Sequence, residues 1–333
     1  MKKIIATLLL LTISLLAFAS CGIFQSNANS DEQTQKIRIG YMAGPTGMGM
    51  AKLIGDNGGL ENGNEKYSFT KYADTKAATA DLAAGNIDVI CLPTNEAAAY
   101  FNTVDSGIKV LAINCLNSLF LLTDKNTSVT SLKDLEGQTI YTCKNGTPRT
   151  VLEYIVNQLG INVTVSYEYD GKEILTPADL SAQVVAGNLP NAVMPEPLVT
   201  SSLLSIQKNG NTEIAYTVDV NLTSEWEKIS STPVAMGCIV ANSDFVEKNP
   251  TVIEAFLSEY KASVEYIGNP ENLDSAANYV VETGVMAAVP AAKKALTNLG
   301  SAISYIDGND MKETLVAFYT AIGVKLPADE FYY

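Results

Sequence analysis

Histidine is absent from this 333-residue chain, and cationic side chains are few. Without an imidazole, the chain cannot build a Ser-His-Asp triad, a Cys-His pair or a zinc or iron site that depends on histidine. Arginine occurs only at Arg38 and Arg149, and the formal net charge is −14. A surface this acidic repels nucleic acid, whose phosphates bind clustered lysine and arginine. An anionic ligand would therefore be held mainly by backbone N–H groups, hydroxyls or a lysine.

Cysteine is also scarce and shows no redox or metal-binding spacing. Apart from Cys21, the four cysteines lie in separate apolar segments and form no C-x-x-C pair: Cys91, Cys115, Cys143 and Cys238. Such positions favour buried free thiols, although an exported chain could also form a disulfide. The sequence leaves that choice open, and it indicates neither a metal nor a cofactor.

The first 21 residues have the pattern of an export signal. Two lysines precede an apolar run at residues 4–19, and small residues lead into Cys21. This pattern is typical of a secretory signal and not of a spanning helix. Because the processing site resembles the lipobox of bacterial lipoproteins, we expect Cys21 to be acylated and to anchor the protein to the outer face of the cell membrane. An ordinary cleaved signal is the alternative, and residues 22–35 are interpreted as a flexible tether.

From residue 37 onward, short apolar runs alternate with longer helical stretches, which predicts a mostly parallel sheet in an α/β arrangement. About 300 residues follow the signal and tether, too many for most single cores, so two lobes are expected. Strands are predicted at residues 37–42, 67–72, 87–92, 109–113, 119–122, 138–143, 163–169, 192–194, 213–217 and 236–241. After Asn249 the pattern turns helical, with a long amphipathic helix predicted from Pro250 to about Tyr266.

An internal repeat is the strongest sign of organisation. The sequence Ala-Gly-Asn at residues 84–86 and again at 186–188 is followed by a short apolar run and then by a proline, Pro93 or Pro195. In each copy a helix is predicted to end at Ala-Gly-Asn and a strand to follow it. Two similar α/β units therefore follow one another, each with a polar turn at the carboxyl end of a strand.

The turn at residues 44–49 is the first candidate for ligand binding. In open α/β sheets, ligands bind beyond the carboxyl ends of strands, where helix amino termini present free N–H groups. The glycines allow the backbone to approach a ligand closely, and Thr46 supplies a hydroxyl. The turn is not a P-loop, because no Gly-Lys-Ser/Thr follows. A purely structural turn is the alternative.

The corresponding turn at residues 144–150 places Arg149 at a helix start, where a cation opposes the helix dipole. A bound carboxylate or sulfonate would remove that conflict, and a solvated Arg149 explains it equally well. Farther along, Glu196 lies between two prolines that restrict its backbone, so it could hold an amine or a ring N–H. A simple first-turn helix charge is the alternative for Glu196. Trp226 and Tyr41 could stack on a ring or be buried aromatic residues.

Together these turns and strand ends define the predicted ligand-binding residues. They are Tyr41, Pro45, Thr46, Gly47, Asp74, Thr94, Asn95, Asn117, Asn145, Gly146, Thr147, Arg149 and Glu196.

In these features the chain resembles the solute-binding lipoproteins of ABC importers. The similarity is to the branch with nitrate, alkanesulfonate and taurine binders and binders of thiamine-precursor pyrimidines. The matching segments, in order, are the Cys21 lipobox, IRIGY at 37–41, PTG at 45–47, AAGNIDV at 83–89, SLKDLEG at 131–137, PEP at 195–197, the helix start at 249–250 and the late segment 327–331. Each motif alone is weak, but their order covers nearly the whole chain from residue 37.

The resemblance implies a type II periplasmic-binding-protein fold, with two lobes joined by crossing hinge strands and a helical C-terminal region. Lobe 1 would comprise residues 36–120 and 235–333, and lobe 2 residues 121–234. It also implies a monomer that binds a small molecule between its lobes, delivers it to ABC permease subunits in the membrane and has no enzymatic activity. The alternatives are an enzyme of the same fold, of the menaquinone-synthesis type, and a surface sensor that does not transport.

The resemblance implies two classes of ligand. Sulfonate and nitrate binders use helix amino termini with cations or hydroxyls, here Thr46, Gly47, Thr147 and Arg149. Aminopyrimidine binders use a carboxylate and aromatic stacking, here Glu196, Tyr41 and Trp226. A small organic solute with a ring or an amine is favoured over an inorganic anion.

Overall fold

Two five-stranded sheets organise the chain in a computed structural model that describes residues 35–104, 107–210 and 212–333. In these ranges the strands are β1 Ile37–Met42, β2 Tyr67–Tyr72, β3 Val89–Pro93, β4 Ile108–Leu116, β5 Leu119–Asp124, β6 Thr139–Tyr141, β7 Thr164–Ser166, β8 Glu168–Tyr169, β9 Lys172–Glu173, β10 Asn191–Pro195, β11 Tyr216–Asn221 and β12 Ala235–Asn242. The first sheet has the order β2-β1-β3-β12-β4 and the second β11-β5-β10-β6-β7, while β8 and β9 form a separate hairpin.

Helices cover both sheets and form most of the chain after β12. In the described ranges the α-helices are α1 Pro45–Met48, α2 Ala51–Asp56, α3 Gly59–Asn62, α4 Thr75–Ala83, α5 Thr94–Val104, α6 Thr147–Leu159, α7 Pro177–Val185, α8 Leu198–Lys208, α9 Leu222–Trp226, α10 Ser243–Lys248, α11 Pro250–Gly268, α12 Leu273–Glu282, α13 Val289–Leu299 and α14 Gly308–Ala321. Short 3-10 turns lie at Leu132–Leu135, Pro270–Asn272, Gly300–Ala302 and Asp329–Phe331. None of the helices described is both long and apolar enough to cross a membrane.

Each sheet defines one lobe, and the chain crosses between them twice. It leaves the first sheet after β4 and enters the second at β5, and it returns between β11 and β12. In the first sheet β1 pairs in parallel with β2 and β3, whereas β12 runs antiparallel between β3 and β4. The fold is therefore the two-lobed α/β architecture expected from the sequence.

The internal repeat appears as two equivalent helix-strand units. Helix α4 ends at Ala83 before Gly85 with φ of 70°, and α7 ends at Val185 before Gly187 with φ of 75°. This left-handed conformation, which glycine adopts without steric cost, ends each helix and turns the chain into a strand. The strands that follow, β3 and β10, are each the central strand of a sheet. The repeat therefore places corresponding polar turns at the carboxyl ends of the two central strands.

Several strand bounds match the prediction, and others shift where pairing with a neighbouring strand sets them. Strands β1 and β2 have the predicted bounds. The strand predicted at 213–217 is observed as β11, because its register is set by antiparallel pairing with β5. The stretch predicted at 163–169 is divided between β7, which pairs with β6, and β8, which pairs with β9.

One apolar core is shared by the two lobes. It contains β3 and α14 residues of the first lobe together with α6 residues of the second. Trp226 is buried between Tyr154 on α6 and Phe318 on α14, with ring centroids 5.2 Å and 5.8 Å away. Trp226 is therefore a buried aromatic residue at the junction of the lobes, which was the alternative to a ligand-stacking ring.

The four cysteines at 91, 115, 143 and 238 are buried free thiols, as their apolar segments favoured. Burial raises the pKa of Cys91 and of Cys115 to about 12. Among the residues described, no group of three or more acidic or cysteine side chains could hold a metal ion. Cys21, the signal and residues 22–34 of the tether lie outside the described residues.

Candidate functional site

The turn after β1 forms the short helix α1 and packs tightly against the first sheet. Pro45 occupies its first turn, and the main-chain N–H of Gly47 donates to the carbonyl oxygen of Gly44 at 3.1 Å. A Cβ built on Gly47 would lie 2.1 Å from the carbonyl oxygen of Met42, so no larger residue fits without a shift. Glycine at position 47 is thus required by close packing of the backbone.

Thr46 lies almost buried, with 8% of its surface exposed, against β12. Its carbonyl oxygen accepts a hydrogen bond from Asn114 Nδ2 at 3.3 Å. A Cβ built on Gly237 would lie 2.1 Å from Thr46 Cγ2, so the absence of a side chain on β12 makes room for Thr46. Thr46 is thereby positioned at the carboxyl end of β1, next to the β3–β12 pair.

The turn from β3 into α5 connects the lobes. The Thr94 hydroxyl donates to the carbonyl oxygen of Ala235, and the Thr94 carbonyl accepts from the hydroxyl of Tyr319 at 2.8 Å. The next residue, Asn95, accepts a hydrogen bond at Oδ1 from the hydroxyl of Thr147 at 2.7 Å. Because Asn95 belongs to the first lobe and Thr147 to the second, this bond joins the turn after β3 to the turn after β6 across the lobes.

The turn from β6 into α6 supplies the second-lobe side of this contact. Asn145 is exposed, Gly146 has φ of 95°, and Thr147 is only 1% exposed. The Arg149 guanidinium carbon lies 5.5 Å from the ring centre of Tyr167. Its Nε is 3.9 Å from a carboxylate oxygen of Glu153, also on α6. Neither neighbour satisfies Arg149 Nε, which is buried without a hydrogen-bond partner in the described part of the chain.

Glu196 is fully buried and already bound by three donors. Its carboxylate accepts from the N–H of Thr200 at 3.1 Å, from the Thr200 hydroxyl at 2.9 Å and from Asn298 Nδ2 at 2.6 Å. Burial raises the pKa of Glu196, and these hydrogen bonds oppose the rise. Asn298 lies on α13 of the first lobe, so Glu196 forms a second polar bridge between the lobes.

Three other predicted residues make hydrogen bonds to main-chain groups within the fold. The hydroxyl of buried Tyr41 donates to the carbonyl oxygen of Thr283 at 2.9 Å, and burial raises the pKa of Tyr41 to about 12. Asp74 caps α4 by accepting the N–H of Ala77 at 2.8 Å. At the crossing between lobes, Asn117 has φ of 42° and accepts at Oδ1 from the N–H of Val234 at 3.0 Å.

The contact also contains Glu96, which was not among the predicted ligand-binding residues. A Cβ built on Gly146 of the second lobe would lie 3.8 Å from Glu96 Oε1. The Thr75 side chain hydrogen-bonds to this carboxylate, but burial has the larger effect and raises the pKa of Glu96. Its place directly after the Thr94-Asn95 turn is the sequence signal that could have identified it. Asn298 gave no such signal, because it is far from Glu196 in the chain.

The structure thus brings part of the predicted set together. Asn95, Gly146 and Thr147 meet at one interlobe contact with Glu96, whereas Glu196 bridges to Asn298. A cavity of about 460 Å³ lies elsewhere, beside α8 and β11, and no predicted ligand-binding residue lines it. The ligand-binding roles of the predicted residues stay predictions.

Comparisons with known proteins agree with this architecture. The family model described as "NMT1/THI5 like" matches residues 68–272, which is more than half of the chain. No curated protein matches the sequence.

Solved structures of several transport proteins have a similar fold. An ABC transporter structure from Parabacteroides distasonis has 20% identity and a TM-score of 0.66, covering 90% of this chain and 98% of that one. The periplasmic aliphatic sulphonate binding protein SsuA from Escherichia coli has 17% identity and a TM-score of 0.65, covering 90% and 92%. The periplasmic nitrate-binding protein NrtA from Synechocystis PCC 6803 has 14% identity and a TM-score of 0.61, covering 90% and 83%.

Proposed function

Because the chain belongs to the NMT1/THI5-like family, we propose that it is an exported solute-binding protein that captures a small organic solute between its lobes and delivers it to an ABC-importer permease. In this proposal, acylated Cys21 anchors the protein to the outer face of the cell membrane. The solute is released chemically unchanged, and the protein acts as a monomer without enzymatic activity.

The observation that carries the proposal is the polar contact between one turn of each lobe, the turn from β3 into α5 and the turn from β6 into α6. Thr147 of the second lobe donates to Asn95 of the first at 2.7 Å, and Gly146 lies beside Glu96. Both turns follow the carboxyl ends of strands, where ligands of open α/β sheets bind. A solute placed there would contact both lobes at once, which is the geometry that couples binding to closure.

The lobes would open and close about the two crossing segments. Opening breaks the Thr147–Asn95 and Asn298–Glu196 bonds, and closure on a solute re-forms them. A solute drives closure only if it binds the closed state more tightly than the open one. Moving the population from 1% to 99% closed takes about 5.5 kcal/mol of differential binding. The permease would then recognise the closed form.

Thermal unfolding of the full chain, purified in detergent, tests the proposal with a panel of sulfonates, inorganic anions, pyrimidines, flavins and amino-acid derivatives. A true ligand at 100 times its dissociation constant should add about 2.7 kcal/mol to the free energy of unfolding. Mass spectrometry of the released compound should find it unaltered. If no compound stabilises the chain, or if the bound compound is recovered as a different molecule, the capture function is refuted.

A further inference from the structure

Two glutamates lie at contacts between the lobes, fully buried Glu196 and half-buried Glu96, and they differ in what already binds them. Glu196 accepts hydrogen bonds from three donors on Thr200 and Asn298. For Glu96, the side chain of Thr75 is the one hydrogen-bond partner found in the described part of the chain. Since an ionised carboxylate has about four acceptor sites, Glu96 keeps most of its capacity for hydrogen bonds.

No cation in the described part of the chain forms an ion pair with Glu96. The carboxylate is half-buried and faces the turn between β6 and α6, since a Cβ built on Gly146 would lie 3.8 Å from Glu96 Oε1. Burying a carboxylate without a cationic partner is unfavourable, and the raised pKa of Glu96 is a consequence of that burial. The first turn of α5 supplies a partial positive charge to Glu96, and a ligand N–H or ammonium group would add the hydrogen bonds and the full charge that are missing.

The same charge acts against an anionic solute. A sulfonate or nitrate bound between these turns would place a second negative charge near Glu96, where low dielectric strengthens the repulsion. Specificity of this kind arises as much from repulsion of the wrong ligand as from attraction of the right one. Arg149 does not offset it, since its guanidinium lies over Tyr167 and near Glu153.

We propose that Glu96 determines the charge class of the solute: the interlobe contact takes a compound with an amine, amidine or protonated ring nitrogen and rejects sulfonate and nitrate. This inference rests on the proposed solute capture and assigns the recognition carboxylate to Glu96. It places the solute N–H between Glu96 and the turn at Asn145, Gly146 and Thr147.

Thermal unfolding of the full chain in detergent, at constant ionic strength, tests this inference with probes matched in shape and opposite in charge. The pairs are benzamidine with benzenesulfonate and methylamine with methanesulfonate, together with nitrate. The proteins are the wild type, Glu96→Gln and a control, Glu247→Gln, which removes the same charge from an exposed position on α10. Any cationic ligand found by the wider panel is measured with the same three proteins.

The wild type and the control should be stabilised by cationic probes and not by the anions. Glu96→Gln should bind the cations about 10- to 100-fold more weakly, the loss expected for a hydrogen bond to a charged group. It should also gain stabilisation by methanesulfonate or nitrate.

The assignment of Glu96 is overturned if the wild type and Glu96→Gln respond alike to the cationic probes and alike to the anionic probes. It is also overturned if neither protein responds to any probe. Wild-type binding of a sulfonate would also overturn it and yet leave solute capture standing. Failure of every compound in the wider panel, by contrast, would refute the capture function itself.

Discussion

The bridge between Glu196 and Asn298 allows a sharp test of how the lobes are held together. The substitution Asn298→Ala removes the 2.6 Å hydrogen bond to Glu196 Oε1. The carboxylate keeps its two bonds from Thr200 but loses its donor from the first lobe. Glu196 is fully buried, so water does not simply replace the missing amide in the closed state.

A hydrogen bond to a charged group contributes about 1.5–3 kcal/mol to stability. We therefore expect Asn298→Ala to lower the free energy of unfolding by about 2 kcal/mol, a factor of about 30 in the equilibrium constant. Asn278→Ala is the matched control, because Asn278 is exposed and bonds only to the Asp274 carbonyl on its own helix. The control should change stability by no more than about 0.5 kcal/mol.

Urea unfolding followed by Trp226 fluorescence suits this measurement, since the chain has one tryptophan and it lies between Tyr154 and Phe318 of opposite lobes. A double-mutant cycle with Glu196→Gln then isolates the pairwise energy. If Asn298→Ala destabilises the chain no more than Asn278→Ala does, the bridge contributes nothing and the reasoning is wrong.

The pH dependence of this effect has a defined sign. Burial raises the pKa of Glu196. Above the folded-state pKa the buried negative charge of Glu196 lowers the free energy of unfolding, and this loss of stability is relieved as the pH falls through the folded-state pKa. Asn298 opposes the rise in pKa, and its removal should raise the pKa further. The destabilisation by Asn298→Ala should therefore be largest at neutral pH and smaller in acid. An effect that grows as the pH falls would contradict this sign.

Three further substitutions or modifications test individual contacts. Gly47→Ala should destabilise the chain by about 1–3 kcal/mol in urea unfolding, because its Cβ would lie 2.1 Å from a main-chain carbonyl oxygen; unchanged stability would show that the turn is not tightly packed. Thr147→Val should cost about 0.5–1.5 kcal/mol by removing the hydrogen bond to Asn95, whereas Thr297→Val at an exposed helix position should cost less, and equal losses would argue against an interlobe role. Cys91, whose pKa burial raises to about 12, should resist iodoacetamide at pH 8 until urea unfolds the chain, and rapid labelling of the native protein would disprove its burial.

Much of the fold could be predicted because local signals agree with the tertiary arrangement. Strands β1 and β2 have their predicted bounds, and α11 begins at Pro250 as predicted. Both Ala-Gly-Asn repeats end a helix before a central strand. Proline at a helix start and glycine after a helix end act through backbone conformation, which a single sequence displays directly.

The environment of the site residues could be predicted only in part. The pattern indicated that Asn95 and Thr147 each lie in a polar turn after a strand, and the structure adds the hydrogen bond between them. The sequence pattern also indicated an acid in the turn at Glu196. It did not indicate that three donors already bind this carboxylate. Glu96, a few residues from a predicted strand end, proved to be the acid with unused acceptor capacity.

By itself, the sequence determined the α/β class, the two repeated units and the absence of histidine chemistry, because these depend on composition and on local backbone preference. Only the tertiary structure decided which acid faces the opposite lobe with few donors, which asparagine closes the second bridge and which rings enclose Trp226. The physical reason is that hydrogen bonding and desolvation of a side chain depend on groups from distant parts of the chain, and these meet only after the two sheets have packed together.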